Sequence, residues 1–188
     1  NMFLEETASI RLEARPPLVF VPGNHDTYHD FDRAEIARLW PAPNPRALWR
    51  SFDVGPYRFV ILDSGNDLRD DFDPLDSEGL QLEWLVAQLK GADEAGLHAI
   101  VCTHFPPYTS GAQDPPNPRV RESVSRAILA RHNLALVLSG HVHAYERLEI
   151  ADAKDRLVTH VVTGGAGGPF HGIDEKRREA GSKAFVGH

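Results

Sequence analysis

The sequence predicts an α/β fold, and two observations carry that expectation. Short apolar runs recur along the chain, each closed by turn residues. Between them stand segments whose apolar side chains repeat at helical spacing. The runs hold consecutive apolar residues without alternation, which suits strands buried on both faces of a largely parallel sheet. Strands alternating with helices are the pattern of the α/β class.

In chain order, the predicted strand at 18–21 runs into Pro22-Gly23, and the one at 58–62 into Asp63-Ser64-Gly65. The strand predicted at 99–102 leads to Thr103-His104, that at 134–138 to Ser139-Gly140-His141, and that at 160–163 to Gly164-Gly165. A helix is expected over 32–40, where Asp32 stands three residues before Glu35 as in a capping box and Pro41 ends the run. A second helix over 77–90 carries Leu82, Leu85, Val86 and Leu89, with Gly91 just past its end. A third, over 120–131, carries Val120, Val124, Ala127 and Ile128, with Asn133 as a left-handed stop. The Pro- and Asp-rich stretches at 41–45, 70–76 and 114–118 read as surface connections, so the 188 residues form one domain.

Composition narrows the function. The 20 Lys and Arg against 27 Asp and Glu leave a net charge of -7, the wrong sign for a general nucleic-acid binder. No apolar run approaches the length of a membrane span. The single cysteine, Cys102, forms neither an intramolecular disulfide nor a cysteine-rich zinc module; it reads as a small core residue. Against that, the chain has 10 histidines. It opens on Asn1-Met2 and stops at Gly187-His188 with no charged-then-apolar leader, so it is expected to be part of a longer protein.

The chemistry-bearing residues follow the predicted strands directly. Gly23-Asn24-His25-Asp26 leaves the first, Thr103-His104 the third and Gly140-His141-Val142-His143 the fourth. In open α/β sheets, sites form in the crevice beyond the carboxyl ends of the strands, so these segments are expected to meet. A lone histidine at a strand end is more often structural than functional; three in equivalent places argue for a site. Imidazole nitrogens with amide or carboxylate oxygens and no thiolate suit Zn, Fe, Mn or Co. His141 and His143 lie two apart and would share a face of an extended strand. At a strand-to-turn junction they can diverge toward two neighbouring metals, and Gly140 would allow a close approach or a strained backbone angle there.

Gly23-Asn24-His25-Asp26, Val101-Cys102-Thr103-His104 and Gly140-His141-Val142-His143 resemble three of the five signature blocks of calcineurin-like metallophosphoesterases. The text around them, Thr103-His104-Phe105-Pro106-Pro107-Tyr108 and His141-Val142-His143-Ala144-Tyr145-Glu146-Arg147, is similar to the purple acid phosphatase branch. The resemblance runs from about residue 17 to 169 and implies a two-sheet sandwich flanked by helices, here lacking its N-terminal strands. It implies a phosphoester hydrolase acting through two metal ions, drawn from Fe, Zn and Mn. Asn24, His104 and His141 would ligate the second metal and His143 the first. His25 would face the phosphate ester or protonate its leaving group, and Asp26 would orient that imidazole. The family's first two blocks supply a terminal and a bridging Asp ahead of the Gly-Asn-His block. Only 22 residues precede Gly23 and neither block is among them, so the chain alone is expected to hold an incomplete centre.

Two other readings stand beside this one. The chain would be a non-catalytic remnant of the fold that binds one metal or a phosphate. Alternatively, His104, His141 and His143 would form a mononuclear zinc hydrolase, which leaves Gly23-Asn24-His25-Asp26 poorly explained. His29 and His171 fit the mouth of the cleft or, more simply, exposed loops. His160 fits a structural role at a strand start. Tyr108 fits either a lid over substrate or a packing aromatic, and Arg147 either a phosphate contact or a solvent-facing charge. Gly164–Gly168 lacks the Lys-Ser/Thr end of a P-loop and reads as a tight turn passing close to the metal site. The branch resemblance leans toward a secreted or periplasmic protein, with a cytoplasmic one as the alternative, and nothing in the sequence sets an oligomeric state.

Overall fold

The computed structural model describes residues 19–26, 34–36, 38, 48–64, 80–113, 115–129, 134–152 and 155–187. The strands are β1 (Arg50–Val54), β2 (Tyr57–Ile61), β3 (His98–Thr103), β4 (Leu134–Ser139), β5 (Tyr145–Ala151), β6 (Leu157–Thr163) and β7 (Ser182–Val186). Helix α1 (Leu80–Glu94) joins β2 to β3, and α2 (Pro118–Leu129) joins β3 to β4. The strands form one mixed sheet in the order β1-β2-β3-β4-β6-β5-β7. The α/β class holds, and the described residues contain one sheet of the expected sandwich.

The centre of the sheet, β2-β3-β4-β6, is parallel. Its register sets Ile61 beside Cys102, Thr103 beside Ser139 and Ser139 beside Val162, so these strands finish along one edge. Backbone bonds carry the pairing past the strand ends, with Gly140 N–H donating to His104 C=O at 3.0 Å. The segments after β3 and β4 are thereby stitched side by side. Val60, Val101, Val137 and Val158 pack under Leu85, Leu89 and Ala92 of α1 and Val120 and Val124 of α2. A smaller cluster of Val142, Ala144, Leu148 and Val162 lies beneath the turn after β4.

The runs at 58–62, 99–102, 134–138 and 160–163 are β2, β3, β4 and β6, the four parallel strands. The strand expected at 18–21 is different: Leu18 lies outside the described residues, and Val19–Val21 carry no strand. The Phe20 carbonyl instead accepts from the Arg50 guanidinium at 2.6 Å. Of the helix expected over 32–40, residues 34–36 and 38 are helical, while Asp32 and Pro41 lie outside the described residues. Gly91 does not stop α1, which runs on to Glu94, and Gly96 beyond it takes the left-handed φ of +68°. A Cβ on Gly91 would sit 2.8 Å from Nη1 of Arg58, so this glycine makes room for a side chain from β2. Asn133 lies outside the described residues.

Strands β1, β5 and β7 have no counterpart among the predicted runs, for a common reason. All three pair antiparallel, and their residues are mixed polar and apolar. In β5, Glu146 and Leu148 face inward while Tyr145 is exposed, an alternation that a search for continuous apolar runs passes over. His160 stands in the middle of β6, fully buried, where a strand-start position had been expected.

Candidate metal centre

Asn24 opens a 3-10 turn over Asn24–Asp26 that directly follows Gly23. The Asp26 carboxylate accepts the Gly23 N–H at 2.9 Å, and the Asp26 N–H donates to the Gly23 carbonyl at 3.1 Å. The turn is thus closed on itself, with Asn24 buried and His25 exposed above it. Burial raises the Asp26 pKa, while the Gly23 N–H and then the charge of His25 oppose that rise.

Across the cleft, His104 follows β3. Its Nε2 lies 2.8 Å from Asn24 Oδ1 and 3.2 Å from His141 Nδ1. An amide oxygen only accepts, so His104 Nε2 carries a proton aimed between Asn24 and His141. Buried Phe105 packs edge-on against both rings, at 5.1 Å from His104 and 4.5 Å from His141. Burial, followed by the neighbouring His141, His25 and His143, pushes the His104 pKa down to about 3. At neutral pH its imidazole is therefore uncharged, the form that ligates a metal.

The turn after β4 separates the two histidines. Val142 N–H bonds Gly140 C=O and Ala144 N–H bonds Val142 C=O, both at 2.7 Å, making two successive three-residue turns. His141 carries φ of +63°, a left-handed conformation uncommon for a residue with a Cβ. The strained angle expected at Gly140 falls on His141 instead, and a Cβ on Gly140 would meet only ordinary contacts from 3.7 Å outward. His143 turns the other way: its Nδ1 lies 2.9 Å from the Pro169 carbonyl. Gly164–Gly168 wraps this turn, since a Cβ on Gly164 would run into the Val142 carbonyl and one on Gly168 into the His143 imidazole.

Asn24, His25, His104, His141 and His143 all line one open cleft of about 540 Å³, as do Gln113, Thr163 and His171. Asp26 is not in its wall; it holds the turn from behind. His171 belongs to the site wall and stacks on His143 with ring centroids 4.4 Å apart. Gln113 and Thr163 carried no signal in the sequence, one lying in an irregular loop and the other ending a strand. Tyr108 is a packing aromatic: its hydroxyl pairs with Ser125, its edge meets His160, and Arg121 lies over its face. Arg147 pairs with Glu149 at 2.9 Å on β5. The Cys102 thiol is pushed up to about 11 by burial, as suits a core residue. His29 lies outside the described residues.

The donors fit a cation. Ligands bound at 2.0–2.1 Å lie about 3.0 Å apart at the corners of an octahedron and about 3.4 Å apart at those of a tetrahedron. The 2.8 and 3.2 Å separations around His104 Nε2 fall in or near that range. Among the described residues no group of three His, Cys, Asp or Glu could hold an ion; the convergent triplet is two imidazoles and an amide oxygen.

The calcineurin-like phosphoesterase family model matches residues 3–145. The chain belongs to that family. Among curated proteins it is similar to purple acid phosphatase 22 of Arabidopsis thaliana, 30% identical over 151 residues, covering 73% of this chain and 33% of that protein. Purple acid phosphatase 23 of the same plant is 27% identical over 146 residues, covering 73% of this chain and 30% of its own length. The chain therefore spans about a third of the curated relatives it matches. Among solved structures, a purple acid phosphatase from yellow lupin (Lupinus luteus) seeds superposes with TM-score 0.74 at 22% identity, covering 97% of this chain and 37% of that one. A dimetal phosphatase from Danio rerio gives TM-score 0.63 at 17% identity over 88% of this chain and 67% of that chain. These two likenesses are of fold.

Proposed function

We propose that this chain carries the second-metal half of a dinuclear phosphoesterase centre, and that the protein it serves hydrolyses a phosphate ester. At the level of the family this is metal-dependent phosphoester hydrolysis. The observation that supports the finer reading is the convergence of Asn24 Oδ1, His104 Nε2 and His141 Nδ1. These three residues would hold the second metal and His143 the first. The family's chemistry is dinuclear, and a metal pair of Fe, Zn or Mn ions, when bound, stabilises the attacking and leaving oxygens of an in-line phosphoryl displacement and supplies hydroxide near neutral pH.

The chain's own residues prepare for that chemistry. His104, held neutral by burial, carries a single ring proton; moving it from Nε2 to Nδ1 would free the nitrogen that faces Asn24 and His141 for a metal. His25, exposed at the cleft, contacts a phosphate oxygen or gives a proton to the leaving group. Asp26 acts on His25 through the turn it closes, fixing the backbone that carries both Asn24 and His25. The purple acid phosphatase likeness also supports an exported protein, since such homologues are often secreted. No helix among the described residues is long and apolar enough to cross a membrane.

A non-catalytic remnant has one observation in its favour: the convergent triplet contains no carboxylate. Metal content per chain decides. After dialysis and reloading with Zn or Mn, the half-centre predicts close to one ion, lost in His141→Ala. Unchanged metal content in His141→Ala would refute the assignment. Phosphatase activity restored when the chain is joined to a segment carrying the two Asp blocks would separate enzyme from remnant.

A further inference from the structure

His171 has no part in the reading above, yet it is tied to His143 more closely than any other residue of the cleft wall. The His143 N–H donates to His171 Nδ1 at 3.3 Å, and the His171 N–H donates to the His143 carbonyl at 2.9 Å. The two rings stack with an interplanar angle of 22°. Gly168 lies flush against the same imidazole, and the Pro169 carbonyl meets its Nδ1. The short stretch from Gly168 to His171 therefore clamps one side chain from several directions.

We propose that His171 is a positioning residue whose stacked ring holds the His143 imidazole against the Pro169 carbonyl, and so in one tautomer, and that His171 itself faces the cleft as an Nε2–H donor to an anionic oxygen, not as a metal ligand. The tautomers follow from the hydrogen bonds. A carbonyl only accepts, so His143 Nδ1 holds the proton and its lone pair is on Nε2. A backbone N–H only donates, so His171 Nδ1 holds the lone pair and its proton is on Nε2. Outer partners that fix the tautomer and orientation of a ligating histidine in this way tune the metal it binds. Two adjacent stacked imidazoles thus present opposite faces to the cleft: His143 a lone pair, His171 a donor suited to phosphate oxygen. This rests on the proposed function only for what the two rings are prepared to meet.

Imidazole nitrogen NMR on the chain at one fixed pH without metal tests the clamp. In the parent protein, His143 should show two well-separated ring nitrogens with the proton on Nδ1, and His171 the reverse. In His171→Ala the two His143 nitrogens should move toward a common averaged value, while His171→Phe, which keeps the stack, should hold them apart. A His143 spectrum unchanged in His171→Ala would overturn the proposal. Should His171→Ala fail to fold, His171→Phe decides: averaged His143 nitrogens there would overturn it. Adding Zn should then shift the ring nitrogens of His104 and His141 and leave His171 Nε2 protonated; zinc on His171 Nε2 would overturn the donor assignment. Zinc that shifts no histidine would refute the half-centre, while the metal-free spectra would still stand for the clamp.

Discussion

Gly23→Ala should damage the proposed metal half-site without replacing any of its proposed ligands. A Cβ at position 23 would stand 2.7 Å from Nδ1 and 2.8 Å from Cε1 of His104. Carbon atoms rest at about 3.5 Å or more, so the ring must give way by roughly 0.7 Å or the turn must shift by as much. A displacement of that size takes the 2.8 Å approach of His104 Nε2 to Asn24 Oδ1 to the limit of hydrogen bonding. Overpacking a buried site of this kind costs about 1–3 kcal/mol, and His104 cannot slide freely because Phe105 backs its ring. Gly140→Ala is the control, since its Cβ would lie 3.7 Å from the same Nδ1 and meet nothing closer. Zn titration by calorimetry, with thermal unfolding on each protein, reads both effects. Affinity should fall by about tenfold or more in Gly23→Ala, in line with losses seen when a ligand's support is removed, and stay near the parent value in Gly140→Ala. Equal affinity in the two variants would refute the argument that glycine at 23 exists to seat His104.

His160, Glu146 and Gly168 give three further outcomes. His160 has an ordinary pKa of 6.5 that burial pushes down to about 4, and neither ring nitrogen has a hydrogen-bond partner among the described residues. The unfolded chain takes up a proton below 6.5 that the folded one refuses until about 4, so stability present above 6.5 falls by on the order of 3 kcal/mol as the pH drops through that window. His160→Leu should remove that share of the acid sensitivity in urea titrations at pH 7 and pH 4.5; an unchanged difference between the two pH values would count against it. Glu146 is fully buried and accepts from Ser110 N–H, Ser110 Oγ and Thr109 Oγ1, so Glu146→Ala should cost about 3–5 kcal/mol by stranding those donors. A loss under about 1 kcal/mol by urea unfolding would mean the donors find other partners. Gly168→Ala should drive the His143 ring off the Pro169 carbonyl, read as averaged His143 ring nitrogens in the same NMR experiment.

The parallel centre of the sheet was legible because strands buried on both faces must be written as unbroken apolar runs, and β2, β3, β4 and β6 are. The antiparallel flanks were not, because an edge strand such as Arg50–Val54 needs little apolar content and β5 devotes an inward position to Glu146. Asn24, His25, His104, His141 and His143 were found from their places after apolar runs, and all five line the cleft. Gln113 was not singled out, and His171 was left between the cleft mouth and an exposed loop, because loops place them there through backbone pairing: Ala112 N–H bonds Gly172 C=O at 2.8 Å, and Gly111 bridges Ile173. Pairing between two irregular segments leaves no periodic trace in a sequence. Gly91 misled for a related reason, since its small size answers to Arg58 from another element and not to the end of its own helix.

The glycines around the cleft show how closely the backbone packs against its imidazole rings. His104 lies against Gly23, His143 against Gly168, and the Val142 carbonyl against Gly164, each too close for a Cβ. Three glycines from two segments, the turn at 23 and the stretch 164–168, thus let backbone lie close against the imidazole-bearing loops. Among the described residues that line the cleft, His141 is the non-glycine that bears a left-handed angle, a position where glycine would be unstrained. Holding a β-carbon there costs on the order of 1–3 kcal/mol, a cost the surrounding turn must offset. The bonds from Val142 to Gly140 and from Ala144 to Val142, with Val142 and Ala144 buried below, supply that constraint. A histidine at such an angle has its side chain sent toward His104 while the next histidine goes toward His171, the divergence that the proposed pair of metal ions about 3.5–4 Å apart would require.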